Sequence, residues 1–105
     1  MTDAVVVLVT CAPDDGMRIA RPIVEEGLAA CVNILPGITS VFNWEGELTA
    51  ESEQLLVMKT DQETWAALQA RIRELHPYDT PEILCLSVQD GYGPYLTWLK
   101  SSLKK

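Results

Sequence analysis

Apolar residues run without alternation from Ala4 to Val9, and the stretch closes at Thr10-Cys11-Ala12-Pro13. A short, β-branched run of this kind predicts a strand covered on both faces rather than one facing water. Asp14 and Asp15 then offer an N-cap and first-turn negative charge to a helix expected to reach about Ala29. Ile19, Ile23 and Val24 are its expected inner residues, and Pro22, which lacks an N–H, predicts a kink or a late start. From Cys31 to Thr60 the pattern changes to two long limbs. Cys31–Leu35 opens the first, Pro36-Gly37 punctuates it, and Ile38–Trp44 continues with strand-forming residues. Glu45-Gly46-Glu47 reads as a hairpin turn, because glycine tolerates the positive φ that a tight hairpin needs. The return limb stays polar to Gln54 and becomes apolar over Leu55–Met58. Strands usually have about five or six residues. Limbs of this length overhang a small domain and offer a surface for pairing with another chain.

Thr60-Asp61-Gln62-Glu63 has the form of a capping box. Trp65, Leu68, Ile72 and Leu75 follow at helical spacing, with Arg71, Arg73 and Glu74 outside, and Pro77 stops the helix. His76 through Glu82 contains two prolines and is expected to be a rigid loop. Ile83–Val88 reads as another buried strand, Asp90-Gly91-Tyr92-Gly93 as a turn, and Pro94 as an early residue of a last helix with Tyr95, Leu99 and Leu103 inward. The order strand, helix, hairpin, helix, strand predicts an α+β protein. It is the ferredoxin-like split βαβ sandwich (βαββαβ) with a long central hairpin and an extra C-terminal helix. Two helices cover one face of such a sheet. The first and last strands look apolar on both faces, so the C-terminal helix or another subunit must cover the second.

The totals fit one domain over residues 1–105, long enough for a core. The start, Met1-Thr2-Asp3, lacks the basic region of a signal peptide and no apolar run reaches membrane-spanning length, so the expected location is cytoplasmic, with no membrane partner. A net charge of −7 with no basic cluster beyond Lys100, Lys104 and Lys105 argues against nucleic acid. It is compatible with attracting cations. Three widely spaced cysteines form neither a disulfide framework nor a Cys-x-x-Cys start of a zinc site. Cys31 and Cys85 lie in apolar runs and read as small buried hydrophobes.

Particular residues resemble a known family. Ala20-Arg21, Val24 through Ile34, Pro36-Gly37-Ile38, Trp44–Glu47, Leu56 through Thr60, His76-Pro77-Tyr78, Thr80–Ile83, Tyr95-Leu96 and Trp98-Leu99 are similar, in order, to the CutA divalent-cation tolerance proteins. The resemblance covers nearly the whole chain. It implies a ferredoxin-like subunit in a tight homotrimer, built like the PII signalling proteins. It also implies a link to copper or another divalent cation, with ligands at the end of the first strand and at the histidine before Pro77. Here the chain's one histidine, His76, matches, while the strand-end cysteine position falls at Thr10, with Cys11 one place along. A one-residue shift in a strand turns a side chain to the opposite face.

Two function classes follow. The first is a trimeric, copper-binding or metal-tolerance protein with His76, Cys11 and Glu82 as candidate metal ligands, Asp79 being a further oxygen donor. Imidazole and thiolate suit copper, and a trimer would supply ligands from neighbouring chains. The second is a PII-like regulatory or scaffold module holding a small ligand or partner in an inter-subunit cleft, with Trp44, Lys59 and Tyr78 as candidate lining residues. The bland alternatives are a C-terminal helix residue for His76 and interface anchors for the aromatics. Catalysis is not expected. No Ser/His/Asp set or Gly-rich phosphate loop is visible, and Asp14 and Asp15 would repel a phosphate at the first helix. No organic cofactor is implied.

Overall fold

The computed structural model describes residues 2–104 and carries seven elements in the expected order. They are β1 (Ala4–Cys11), α1 (Gly16–Glu25), β2 (Cys31–Trp44), β3 (Glu47–Asp61), α2 (Gln62–Leu75), β4 (Ile83–Ser87) and α3 (Gly93–Ser101). The strands form one antiparallel sheet in the order β2-β3-β1-β4. This is the α+β, split βαβ arrangement that the residue pattern predicts.

Strand alternation sorts the sheet into two unlike faces. Val5, Val7, Val9 and Cys11 of β1 share one face with Leu56 and Met58 of β3, and all are buried against Ile19 and Ile23 of α1 and Leu68 and Ile72 of α2. The other face carries Val6, Leu8 and Thr10, then Leu55 and Val57, then Leu84 and Leu86 of β4. Within one chain this face is only partly covered: Leu84 is 54% exposed and Leu86 47%. Cover from within the chain is therefore partial, because α3 reaches only one end of the second face. There Leu99 and Leu103 pack on Ala4 and Ala30, with Leu96 beside them. Tyr95 and, on α1, Val24, both expected inside, are each 41% exposed.

Two helix boundaries differ from expectation for local reasons. α1 ends at Glu25, because Gly27 adopts φ +71° and closes a Schellman motif, its N–H donating to the Val24 carbonyl and that of Leu28 to Ile23. Its start is not capped by an aspartate side chain; the Gly16 N–H donates instead to Gln54 Oε1 at 2.9 Å. A Cβ on residue 16 would collide with that oxygen. Pro22 is tolerated inside the helix. At α2 the cap is Asp61, whose carboxylate accepts from the Thr64 N–H at 2.9 Å, rather than Thr60, whose hydroxyl donates to the Leu28 carbonyl. No helix among the described residues is long and apolar enough to cross a membrane.

The β2–β3 hairpin is as long as its limbs imply and stretches the subunit to 44 Å. Its turn is the pair Glu45-Gly46, both at positive φ, as a two-residue type I′ connection requires. Midway, Pro36 and Gly37 stand opposite the single residue Gln54, and Gly37 takes φ +74°. That is a β-bulge. It changes which residues of β2 share a face. Cys31, Asn33 and Leu35 lie on the second face before it, whereas Ile38, Ser40, Phe42 and Trp44 lie there after it, paired with Glu53, Glu51, Thr49 and Glu47.

Candidate functional site

The re-aimed residues form the floor of a groove. Ser40, Phe42 and Trp44 from β2 and Thr49, Glu51 and Glu53 from β3 meet the end of β1 at Thr10. The loop Tyr78-Asp79-Thr80 with Glu82 supplies the opposite wall, and the space is about 860 Å³. It lies on the same side of the sheet as the bare apolar surface, and so adjoins the region another subunit would cover.

His76 holds that wall in place. As the residue before Pro77 it leaves the helical region (φ −81°, ψ 130°) and terminates α2. Its ring is buried, 6% exposed. Nε2 lies 2.7 Å from the Thr10 carbonyl and Nδ1 accepts from the Tyr78 N–H at 3.2 Å, which are the roles of the Nε2–H tautomer. The ring also packs on Tyr78, centroids 4.6 Å apart. With both nitrogens engaged, His76 ties the loop to the first strand and has no lone pair aimed into the groove. Tyr78 carries the connection onward: its hydroxyl donates to Glu53 Oε2 at 3.0 Å. Lost hydration and this bond, which favours the protonated phenol, push the Tyr78 hydroxyl up to about 12.

The groove is acidic. Glu51, Glu53, Asp79 and Glu82 all line it, and Glu53 is buried at 7% exposure. Among the described residues no basic side chain forms an ion pair with any of these four. No three metal-ligating side chains among the described residues converge closely enough to make a ready-formed metal centre.

The residues anticipated as ligands are thus dispersed. Glu82 reaches the groove, while His76 sits behind its wall. Cys11 points away: the one-residue shift turns its sulfur into the core, leaving Thr10 as the groove residue. Burial, with repulsion from Asp15 and Glu53, raises its thiol to about 11, which disfavours the thiolate that a metal requires. The expectation for the other cysteines is corrected too, since Cys31 is half-buried and Cys85 exposed. Of the candidate cleft residues, Trp44 and Tyr78 share the groove. Lys59 does not; its ammonium donates to Asn33 Oδ1 near the root of the hairpin, with Cys31 Sγ at 3.9 Å. Sequence reasoning missed Phe42, Glu51 and Glu53. Their signal was their parity with Trp44 across the turn, legible once Pro36-Gly37 is recognised as a bulge.

Comparison with known proteins agrees with this architecture. A family model described as CutA1 divalent ion tolerance protein matches residues 5–102. The divalent-cation tolerance protein CutA of Pectobacterium atrosepticum is 47% identical over 106 aligned positions, covering 99% of this chain and 96% of that one. The solved divalent cation tolerance protein of Thermus thermophilus superposes with a TM-score of 0.92 at 43% identity, over 96% of this chain and 99% of its own. A protein of Nostoc described as PII-like CutA, in apo form, superposes at 0.90 and 36% identity, over 95% of this chain and 97% of its own. The chain belongs to the CutA1 divalent ion tolerance protein family.

Proposed function

We propose that this chain works as a homotrimer in the handling of divalent cations, and that the cation is met by the groove carboxylates at a subunit boundary. The observation that carries the reading is Glu53, a carboxylate at 7% exposure with no basic partner among the described residues. Burying an unpaired charge is costly, and a cation in the groove would offset that cost. The bare face running through Leu8, Val57, Leu84 and Leu86 supports the oligomer, because a face of this breadth is characteristic of an interface. The names of the relatives support the cation.

The narrower form, copper held by His76 and Cys11, asks more of the chain. His76 would have to release the Thr10 carbonyl or the Tyr78 N–H, and Cys11 would have to leave the core and lose its proton. Oxygen donors at Glu51, Glu53, Asp79 and Glu82 need neither change, and they suit harder cations. The second reading, a PII-like module for a small ligand, is favoured by the size of the groove and by Phe42, Trp44 and Tyr78 within it. Both readings describe a binding protein, and neither includes a catalytic step.

Calorimetric titration of Mn(II) and Cu(II) against the wild type, Glu53→Gln and His76→Asn tests the proposal. Asparagine retains an acceptor for the Tyr78 N–H. The expected result is saturable binding that Glu53→Gln weakens by roughly tenfold or more, as loss of a charge-assisted contact should, while His76→Asn changes it little. Binding abolished by His76→Asn and untouched by Glu53→Gln would overturn the groove assignment.

A further inference from the structure

We infer that the groove is built to take an extended organic cation with more than one positive charge, a linear di- or polyamine, and that metal ions compete for the same carboxylates. The inference rests on the reading of the groove as a cation site and specifies which class of cation fits it best.

Shape is the first argument. A bare ion is held by donors that converge within a few ångströms, and no such convergence occurs among the described residues. The four carboxylates are instead spread around about 860 Å³, with Glu51 and Glu53 on the floor and Asp79 and Glu82 on the wall. Several ammonium groups on one flexible chain can meet carboxylates on both the floor and the wall, whereas a single point charge cannot. The second argument is the material between the carboxylates. Phe42, Trp44 and Tyr78 present aromatic surface, which binds both methylene segments and ammonium groups, the latter through the ring quadrupole. Hydroxyls of Thr10, Ser40, Thr49 and Thr80 add neutral acceptors, and no lysine or arginine among the described residues lines the groove. Burial of one of these carboxylates, Glu53, is the third argument. This residue is nine-tenths buried and in the lining; the Tyr78 hydroxyl donates to its Oε2, and no ion pair among the described residues includes it. An alkylammonium brings both the charge and three N–H donors.

The test is calorimetry of spermidine against the full chain at low ionic strength, with 1,4-butanediol as the neutral counterpart and Mn(II) in parallel. Spermidine should bind saturably, the diol not at all, and Mn(II) should be displaced by spermidine. Glu53→Gln, which keeps the side-chain volume and the bond from Tyr78, should weaken spermidine by at least about tenfold. Trp44→Leu should weaken it by about fivefold. Circular dichroism of both variants establishes that they fold. Equal spermidine binding by the wild type and both variants would overturn the inference, since the overall charge of −7 would then be enough to attract it. Mn(II) binding lost in Glu53→Gln, with no spermidine binding, would overturn it while leaving the groove as a metal site. Binding of neither would remove both readings.

Discussion

In the proposed homotrimer, replacing Leu84 and Leu86 of β4 by lysine should release monomers. Both residues lie on the second sheet face, opposite Leu8 and Val6 of β1. At 54% and 47% exposure they leave, together, about one whole leucine surface in water. Covering that surface is worth about 1.5–3 kcal/mol per chain, and a trimer contains three copies of it. Val6, Leu8, Leu55 and Val57, each half-buried, extend the same patch. Association opposes this with about 4–15 kcal/mol of lost translational and rotational freedom, so the patch would be a large share of what held the proposed trimer together. Lysines there both forfeit the apolar gain and bring charge to a surface that must dry, at several kcal/mol per buried ion. A loss of about 4 kcal/mol is a thousandfold in association. Lysine is the informative choice because it reduces the net charge of −7, so dissociation cannot be ascribed to greater repulsion between chains. Light scattering coupled to size exclusion at micromolar concentration reads the result, with Gln69→Lys on the exposed side of α2 as the control. The wild type and the control should run at three times the chain mass and the double variant at one. A monomeric wild type, or a double variant that assembles normally, would refute the argument that this face is an interface.

Deleting Gly37 removes the bulge and should turn Phe42 and Trp44 out of the groove, so ligand or metal binding should disappear while circular dichroism still reports the sheet. Gly27→Ala should cost about 2 kcal/mol in urea denaturation. The φ of +71° is strained for alanine, and its Cβ would stand 2.8 Å from the Lys104 backbone nitrogen. Asp61→Ala should cost at least about 1–2 kcal/mol, since it removes both the α2 cap and the ion pair with Lys100, and Asp61→Asn less, because its amide oxygen still accepts from Thr64 and only the ion pair is lost. The fourth concerns pH. Burial raises Cys11 from 9.0 to about 11, so the native state holds this proton more tightly than the unfolded chain. The resulting stability is complete below pH 9 and is lost as pH rises through 11. The urea midpoint should therefore fall more steeply between pH 9 and 11 in the wild type than in Cys11→Ala, and parallel slopes would count against it.

Much of the fold was legible because its elements are specified locally. Trp65, Leu68, Ile72 and Leu75 announce α2, Pro77 stops it, and the length of the two limbs between Cys31 and Thr60 announces the hairpin. Where local signals compete, the tertiary structure decides. Thr60 and Asp61 both have capping side chains, and the cap falls to Asp61 because it immediately precedes the first helical residue, Gln62, while Thr60 still lies in β3. Apolar composition marked β1 and β4 as wanting cover on both faces, but composition does not say whether that cover comes from within the chain. For β4 it does not, and Leu84 and Leu86 remain exposed.

The site was harder to read, because ligand type is a property of a residue whereas ligand direction is a property of the backbone. His76 and Cys11 have the right chemistry for copper, and alternation along β1 together with the pre-proline turn directs them elsewhere: the thiol into the core, the imidazole to the Thr10 carbonyl and the Tyr78 N–H. The same geometry gives the histidine a different use. By anchoring Tyr78 it places a phenol on Glu53 and sets the loop wall opposite Trp44. A substitution at His76 that displaced this loop would therefore weaken binding of any cation in the groove without His76 ever being a ligand. Loss of metal binding in His76→Ala alone is consequently ambiguous. His76→Asn, which keeps an acceptor for the Tyr78 N–H, separates the two roles: a ligand imidazole is lost in both variants, whereas an anchoring one is largely replaced by asparagine.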